Sequence, residues 1–366
     1  MDVSDLRESI PALDRVVHLN TGATSPSPRP VVESVRKTIS SHEYDALENE
    51  GMYGMAYELF DETRLAVADV LGTTPERIAL TNSTTDGLNI IAGAIDWNEN
   101  DTVVTTDLEH PSGILPWKRG KGDVTRISTE DGRIDRDTYI DAVSDATLVS
   151  LSSISWNYGT RLPIKELTEI AHEAGARVVV DAAQSPGHLP VNVEDWGADY
   201  VAGTGHKWLL GPWGAGFLYA RSGVDEFISD HRAGSKSIDS FDYETGRAEF
   251  KTDASRLHSV TLPVATVAGL QSAAELYLEI GPERIRDRIE ELTGYLKSEL
   301  GSDRVLSPET FESGLVSFHV SDPEATVDRL SEQGVIVRSI PYPEAVRASV
   351  HAFNTRSDID ALVEQL

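Results

Sequence analysis

Short apolar runs alternate with stretches of helical periodicity from the first half of the chain to about residue 220. One of these stretches, residues 164–174, is predicted to be a helix that stops at Gly175. The alternation predicts an α/β fold in which helices cover a mostly parallel sheet. Its buried strands are predicted at residues 101–106, 147–152, 177–181, 200–202 and 216–219.

The remainder of the chain predicts a polar connection and a second, smaller lobe. Residues 222–259 are rich in Gly, Ser and Asp and are predicted to form a long loop region. A strongly helical stretch from 263 to about 300 follows, then a strand at 314–320 and a helix from about 325 to 333. We therefore expect an N-terminal segment (1–20), a large domain (21–256) and a small α+β C-terminal domain (257–366).

The charge balance limits the partners. The chain has 366 residues with 32 basic and 60 acidic side chains, so its formal net charge is −28. Such a field repels nucleic acids and anionic membranes, and neither is expected as a partner. Because self-repulsion of this size destabilises a fold unless salt screens it, the charge indicates a cytoplasmic protein from a high-salt organism. An ordinary acidic enzyme is the alternative.

The absence of cysteine limits the chemistry. The chain has no thiol, which excludes disulfides, a protein thiolate nucleophile and cysteine-ligated metals. Its histidines show no H-x-H or H-E-x-x-H spacing, so no metal site is expected.

The N-terminus lacks an apolar stretch of signal-peptide length, and no run of about 18 apolar residues occurs that would predict a transmembrane helix.

A loop flanked by glycines follows the strand predicted at 200–202 and ends in His206 and Lys207. Burial of a lysine in an apolar setting lowers its pKa, because burial disfavours the charged form. A lysine that forms an imine needs such a lowered pKa. An ordinary loop lysine is the alternative that the spacing leaves open.

Asp181 ends the strand predicted at 177–181, where α/β sheets place ligand-binding groups. A buried carboxylate needs a charged partner, and a helix cap or a structural ion pair is the alternative. The next residues also resemble the nucleophile elbow of serine hydrolases, with Ser185 as the nucleophile. Pro186 stands where a backbone N–H would complete the oxyanion hole, and because proline has no N–H this hypothesis is disfavoured.

Three hydroxyl residues, Ser83, Thr84 and Thr85, precede an apolar periodic run at 88–95 that is predicted to be helical. Backbone N–H groups at a helix start, together with hydroxyls, form a phosphate site, although a plain helix cap is common. The chain contains no Walker A sequence and no G-x-G-x-x-G sequence, so neither a nucleoside triphosphate nor a dinucleotide is expected.

Three further side chains are candidates for ligand binding. His110 follows a predicted strand, where it is placed to stack on a flat cofactor or to cap the next helix. Arg338 and Arg347 flank a turn that contains proline, an arrangement in which both guanidiniums can bind one anionic ligand. Surface ion pairs with the many carboxylates are the alternative for both arginines.

Together, these segments in this order resemble the class V aminotransferase family. This family consists of pyridoxal-phosphate (PLP) enzymes of fold type I and includes cysteine desulfurases, selenocysteine lyases and isopenicillin epimerases. The resemblance runs from His18 to the region of Asn354, and its most specific part is the block 205–207 combined with the block 181–184. It implies the fold type I architecture, with a large lobe built on a mostly parallel sheet and a smaller α+β C-terminal lobe.

The resemblance also implies roles for individual residues. Lys207 would hold the cofactor covalently and take the Cα proton, Asp181 would pair with the ring nitrogen, and His110 would stack on the ring. Thr261 would reach the cofactor phosphate of a partner subunit in a homodimer with active sites at the interface, although Val260 stands where many relatives have glycine. The cofactor-binding residues would be Ser83, Thr84, Thr85, His110, Asn157, Asp181, Gln184, Thr204, His206, Lys207 and Thr261. The substrate-binding residues would be Asn20, Gly22, Ala23, Asn157, Arg338 and Arg347, of which Arg347 would take the α-carboxylate.

A departure from the family pattern indicates the subclass. Cysteine desulfurases carry a mobile loop with a catalytic cysteine before the carboxylate arginine, whereas this chain has the short segment 339–344 and no cysteine. On this ground we exclude a cysteine-dependent desulfurase and expect an enzyme close to the L-cysteine/cystine C–S lyases, in which both arginines would meet substrate carboxylates. The expected reaction is β-elimination to pyruvate, ammonia and sulfide or persulfide. A transaminase or epimerase acting on another small amino acid and a non-catalytic PLP-binding regulator are the alternatives.

Overall fold

The alternating pattern of the sequence folds into one seven-stranded sheet and a smaller three-stranded one. The structure, a computed structural model, describes residues 2–120, 122–223, 233–257 and 261–366. The strands are β1 (Val17–His18), β2 (Ile78–Thr81), β3 (Thr102–Thr106), β4 (Asp123–Ile127), β5 (Leu148–Ser152), β6 (Arg177–Asp181), β7 (Tyr200–Thr204), β8 (Gly216–Ala220), β9 (Ile238–Phe241), β10 (Ala248–Phe250), β11 (Leu315–Phe318), β12 (Val335–Ile336), β13 (Arg338–Pro341) and β14 (Glu344–Ser349). The α-helices are α1 (Val3–Glu8), α2 (Arg29–Tyr44), α3 (Gly51–Leu71), α4 (Thr84–Ala94), α5 (Arg136–Val143), α6 (Ile164–Glu173), α7 (Val193–Trp196), α8 (Val264–Ile280), α9 (Pro282–Leu300), α10 (Pro323–Glu332) and α11 (Arg356–Val363).

The large sheet has the strand order β2-β8-β7-β6-β5-β3-β4. Strands β7, β6, β5, β3 and β4 run parallel, and β8 lies antiparallel to both β2 and β7. Along β6, Val178 and Val180 belong to the apolar core on one face, and Val179 belongs to the core on the other. Apolar residues on both faces explain why these strands read as nearly continuous apolar runs. The predicted α/β fold with a mostly parallel sheet is confirmed.

The connection at residues 222–259 is more regular than the sequence predicts. Strands β9 and β10 form an antiparallel hairpin there, and a short 3-10 helix follows at Ala254–Leu257. The hairpin is largely exposed on both faces, so it lacks the alternation of apolar and polar residues that marks a half-buried strand. The prediction of a loop was therefore wrong for residues 238–241, 248–250 and 254–257, whereas residues 224–232 and 258–260 lie outside the described residues.

The helical stretch predicted from 263 to about 300 consists of two helices. Helix α8 ends at Ile280 and helix α9 begins at Pro282. Gly281 lies between them with φ +101°, a backbone conformation that side chains with a Cβ rarely adopt. Proline fits the first turn of a helix, where its missing N–H has no intrahelical partner. A Gly-Pro pair thus divides a sequence that is helical on both sides.

The small lobe is built on the antiparallel sheet β11-β14-β13. The N-terminal segment contacts it, because β1 pairs in parallel with β12 and Arg7 forms an ion pair with Asp358 at 2.7 Å. Helix α9 contributes Leu292 and Leu296 to the apolar core of this lobe.

Helix α8 packs instead against α2 and α3 of the large lobe. The domain boundary near Leu257 stays a prediction. The two helices on either side of Gly281 differ in their packing, since α8 packs against the large lobe and α9 against the core of the small lobe. None of the helices in the described part of the chain is long and apolar enough to cross a membrane.

Candidate active site

A cavity of about 220 Å³ lies at the ends of the central strands, beneath the β13–β14 hairpin of the small lobe. This is the edge of a parallel sheet at which α/β proteins bind ligands. Most of the side chains that the sequence analysis singled out line it, although their roles remain predictions. The predicted site residues on its wall are Gly22, Ala23, Ser83, Thr84, Thr85, His110, Asp181, Gln184, Thr204, His206, Lys207, Arg338 and Arg347.

Lys207 and Asp181 form the charged centre of the cavity. Asp181 ends β6 and lies buried, and its Oδ1 accepts the backbone N–H of Ala183 at 2.8 Å. Burial lowers the pKa of Lys207 to about 8, with Arg347 and Arg338 lowering it further, while the negative charge of Asp181 opposes this. Burial also raises the pKa of Asp181, although the hydrogen bond from Ala183 and the charge of Lys207 act to lower it. A lysine of this kind is largely available as the neutral amine in mildly alkaline solution.

Gly187 allows the lysine loop to pack against the segment that follows Asp181. Its φ is +89°, and a Cβ there would lie 2.4 Å from the backbone nitrogen of Leu209 and from the carbonyl carbon of Trp208. No real side chain fits such a contact. The glycine therefore permits the close approach of these two segments.

The amide of Gln184 is held in one orientation by a residue that the sequence analysis missed as part of the site. The indole Nε1 of Trp208 donates to Gln184 Oε1 at 2.7 Å, and Gln184 Nε2 donates to the carbonyl of Gly22 at 3.0 Å. Trp208 is itself buried and stacks on His188 with ring centroids 3.8 Å apart. Since the amide oxygen is already bonded, Gln184 meets a ligand as a hydrogen-bond donor.

His110 carries a neutral, flat ring on the cavity wall. Its Nδ1 accepts the backbone N–H of Ser112 at 3.2 Å, which leaves the proton of the neutral ring on Nε2. Burial, and then the positive charge of Lys207, lowers the pKa of His110 to about 4. The ring meets Trp156 edge to face at a centroid distance of 5.4 Å. His110 is thus placed as a stacking surface and as a donor at Nε2.

Hydroxyl groups gather at the start of α4. Ser83 caps this helix, and its Oγ accepts the backbone N–H of Asp86 at 3.2 Å. The hydroxyl of Thr84 is buried without a hydrogen-bond partner in the described part of the protein. Across the cavity, Thr204 Oγ1 lies 2.7 Å from Nδ1 of His206. A helix N-terminus surrounded by hydroxyls binds anions, and the unpartnered Thr84 hydroxyl fits a phosphate group at this place.

Arg347 carries a buried positive charge at the cavity. Its side chain is 1% exposed, and its Nη1 donates to the carbonyl of Trp156 at 2.7 Å. Its Nε and Nη2 have no hydrogen-bond partner, and no ion pair among the described residues involves it. Burial, and then the charge of Arg338, lowers its pKa to about 9. A buried guanidinium with free donors beside a cavity fits a carboxylate ligand.

Three predicted site residues do not line the cavity. Asn157 is buried, but its Nδ2 donates to the carbonyl of Tyr342 at 3.0 Å, so its amide holds the turn between β13 and β14. Asn20 pairs with Ser349 through the backbone, and its side-chain oxygen is buried without a partner in the part of the chain that the structure describes. Thr261 lies exposed on the surface, and its neighbour Val260 is outside the described residues. Ser185 of the rejected elbow is buried, and its hydroxyl lies 2.6 Å from that of Ser153.

The sequence model of the family described as Aminotransferase class-V matches residues 17–362. The chain belongs to the class-V aminotransferase family. Among its relatives, a probable cysteine desulfurase of Methanothermobacter thermautotrophicus is 33% identical over 400 residues, which span 100% of this chain and 98% of the relative. The cysteine desulfurase of Haloferax volcanii is 29% identical and covers 100% of this chain and 96% of its own length.

Solved structures agree with this assignment along the whole chain. The apo cysteine desulfurase from Thermococcus onnurineus has a TM-score of 0.89 at 28% identity and covers 98% of this chain and 96% of its own. The cystine C–S lyase C-DES, solved with its reaction product cysteine persulfide, has a TM-score of 0.90 at 26% identity, covering 97% and 98%. A lysine-to-alanine variant of C-DES with glycine covalently linked to its PLP cofactor has a TM-score of 0.91 at 26% identity, covering 98% of each chain. The predicted fold type I architecture is confirmed.

The comparisons correct one inference from the sequence. The sequence analysis excluded a cysteine-dependent desulfurase, and this exclusion was wrong, because relatives that match the whole chain are named cysteine desulfurases. The exclusion rested on the absence of cysteine. That absence concerns only the thiols of this chain, and it carries no information on which group of enzymes the chain descends from.

Proposed function

We propose that this protein is a PLP-dependent lyase that acts on a sulfur amino acid of the cysteine or cystine type. The expected reaction is β-elimination, in which the Cβ–S bond breaks and water completes the products. Cysteine would give pyruvate, ammonia and sulfide, and cystine would give pyruvate, ammonia and cysteine persulfide. The observation that carries the proposal is Arg347, a buried cation with free donors that faces the same cavity as Lys207.

The residues present fit PLP as the cofactor. The hydroxyls of Thr84 and Thr204 and the start of α4 would bind its phosphate. Asp181 would pair with the ring nitrogen, Gln184 would donate to the ring oxygen, and the flat ring of His110 would stack on it. When bound, PLP supplies an electron sink for negative charge that develops at Cα of an amino acid.

Each charged side chain then has one task. Arg347 binds the α-carboxylate of the substrate and fixes the amino acid relative to Lys207. The amine of Lys207, with its pKa lowered to about 8, accepts the Cα proton at Nζ in mildly alkaline solution. Asp181, whose Oδ1 accepts the backbone N–H of Ala183, would hold the protonated ring nitrogen of the cofactor with its carboxylate.

Arg338 favours a substrate with a second carboxylate. It is the register partner of Arg347, and its guanidinium lies 5.9 Å from the ring of Trp156. A second cation beside the first would bind the distal carboxylate of cystine.

We also infer a homodimer in the cytoplasm of a high-salt organism. The exposed position of Thr261, outside the cavity, supports contact with a partner subunit. The net charge of −28 supports a working environment rich in salt.

The test uses the PLP-loaded protein in molar salt with cystine or cysteine and no keto acid. Pyruvate, ammonia and sulfide or persulfide are the expected products, and the variant Lys207→Ala is expected to form none of them. Alanine in place of pyruvate would contradict β-elimination. Conversion of the cofactor to its aminated form without pyruvate would favour the transaminase. Racemised substrate would favour the epimerase, and an absence of turnover in the wild-type protein itself would favour a non-catalytic role.

A further inference from the structure

A second carboxylate lies behind Asp181. Glu109, in the loop after β3, is 4% exposed. Its Oε1 accepts the backbone N–H of Ser152 and the hydroxyl of Thr106, both at 3.0 Å. Its Oε2 accepts the hydroxyl of Ser152 at 2.5 Å. Every one of these hydrogen bonds is made with a neutral group, and no ion pair among the described residues includes this carboxylate.

Glu109 and Asp181 both lie beside Gly113. Ser152 ends β5 and is the register partner of Asp181 at the end of β6. The position that a Cβ on Gly113 would occupy is 3.4 Å from Oε2 of Glu109 and 3.9 Å from Oδ2 of Asp181. Oδ2 of Asp181 is thus on the same side as the second carboxylate.

The surroundings of Glu109 make its charge sensitive to pH. Burial raises its pKa to about 7, the charge of Asp181 raises it further, and the bonds from Ser152 and Thr106 oppose the shift. Among the described residues of the other elements packed around it, only Asp181 of β6 brings a charge toward it. On its own loop, Asp107 bonds instead to Thr129, and the neighbouring His110 is neutral.

We propose that Glu109 is a positioning residue whose negative charge, behind the carboxylate of Asp181, adds to the negative potential at the ring nitrogen of the cofactor and thereby favours the protonated form of that nitrogen. Two like charges in one buried space each favour the presence of a proton nearby. A protonated ring nitrogen at Asp181 supplies that proton. The proposal rests on the placement of the ring nitrogen in the proposed function.

The variant Glu109→Gln isolates the charge from the packing. Glutamine has the shape of glutamate, and its oxygen can keep the bonds from Ser152 N–H and Thr106. Its amide nitrogen can donate to the hydroxyl of Ser152, which accepts as readily as it donates. The matched control is Asp107→Asn, which removes a buried charge from the same loop but one that faces Thr129.

The test measures cofactor affinity without turnover. Apoprotein is titrated with 4′-deoxypyridoxine 5′-phosphate, an analogue that keeps the ring nitrogen and phosphate but has no aldehyde to react with Lys207. At about pH 5.5, where Glu109 is protonated, wild type and Glu109→Gln are expected to bind it equally. At about pH 8.5 the variant is expected to bind about tenfold more weakly, the order of one charge–charge interaction in a partly screened site. The ratio of the wild-type affinity to the affinity of Asp107→Asn is expected to stay constant with pH.

A second comparison tests the same proposal in a changed hydrogen-bond setting. Ser152→Ala removes the shortest hydrogen bond to Glu109, which would raise the pKa of Glu109. The affinities of Ser152→Ala and of the double variant Ser152→Ala/Glu109→Gln for the analogue form a second ratio. This ratio should therefore begin to change at a higher pH than the ratio of wild type to Glu109→Gln. An affinity ratio that does not change with pH in either comparison would overturn the role of Glu109.

The variant Asp181→Asn separates this failure from failure of the proposed function. Suppose that Asp181→Asn weakens binding while the two affinity ratios that involve Glu109→Gln do not change with pH. The ring nitrogen then lies at Asp181, and only the inference on Glu109 is wrong. If Asp181→Asn binds the analogue like wild type, the placement of the cofactor itself is wrong.

Discussion

Arg338 and Arg347 lie directly opposite one another in the antiparallel pair β13–β14. Like charges at such positions destabilise a strand pair, and here one of them is also fully buried. No carboxylate among the described residues pairs with Arg347, although the chain carries 60 acidic side chains. The pair therefore costs stability in the free protein, and an anionic ligand would offset that cost.

Arg347→Lys is expected to lower kcat/KM by about 100-fold, mostly through KM, since lysine cannot form two parallel bonds with a carboxylate. Steady-state kinetics with cystine checks this, and thermal unfolding of the free variant serves as the folding control. Because the buried guanidinium has free donors, the free variant is expected to be at least as stable as wild type. Unchanged kinetics would show that the α-carboxylate binds elsewhere.

Arg338→Gln is expected to affect cystine and cysteine differently. Only cystine has a distal carboxylate, so kcat/KM should fall about tenfold for cystine and remain nearly constant for cysteine, a difference of about 1.4 kcal/mol. Competition between the two substrates measures this ratio directly. An equal loss for both substrates would indicate that Arg338 acts only through Arg347.

The pH dependence of cofactor attachment reports on Lys207. Its pKa is lowered to about 8, so the amine is protonated and unreactive below this pH and neutral above it. The rate at which apoprotein binds PLP covalently should rise with pH and level off above about pH 8, whereas a free lysine side chain levels off only above about pH 10.4. Stopped-flow absorbance across this range measures it. A rate that keeps rising up to the ordinary pKa of lysine would contradict a buried, lowered lysine.

Trp208→Phe removes the indole N–H and keeps an aromatic ring against His188. Without that donor the amide of Gln184 keeps only its bond to the Gly22 carbonyl and is held less firmly, so affinity for PLP should fall about fivefold, while the lost hydrogen bond costs about 1 kcal/mol of stability. Trp97→Phe is the matched control, because Trp97 Nε1 donates to the carbonyl of Ala92 at 2.8 Å away from the cavity. Equal cofactor affinity in both variants would contradict the role given to Trp208.

The sequence predicts the residues that line the site better than the residues that hold them in position. Lys207 and Asp181 could be found because Asp181 ends one buried apolar strand and Lys207 follows another, which is a local pattern. Glu109 and Trp208 could not, because their roles depend on Ser152 and Gln184, which the fold brings to them from other segments. The hairpin at 238–250 was missed for a related reason: its two strands are exposed, so the sequence shows no alternation of apolar and polar residues there.

The most direct measurement of the central claim follows the carbon skeleton of the substrate. Uniformly ¹³C-labelled cysteine is incubated with the PLP-loaded enzyme in molar salt and ²H₂O, and the products are observed by NMR. The account predicts labelled pyruvate whose methyl group contains deuterium, since β-elimination delivers a solvent proton to Cβ. Labelled alanine as the main product, with no pyruvate, would contradict it.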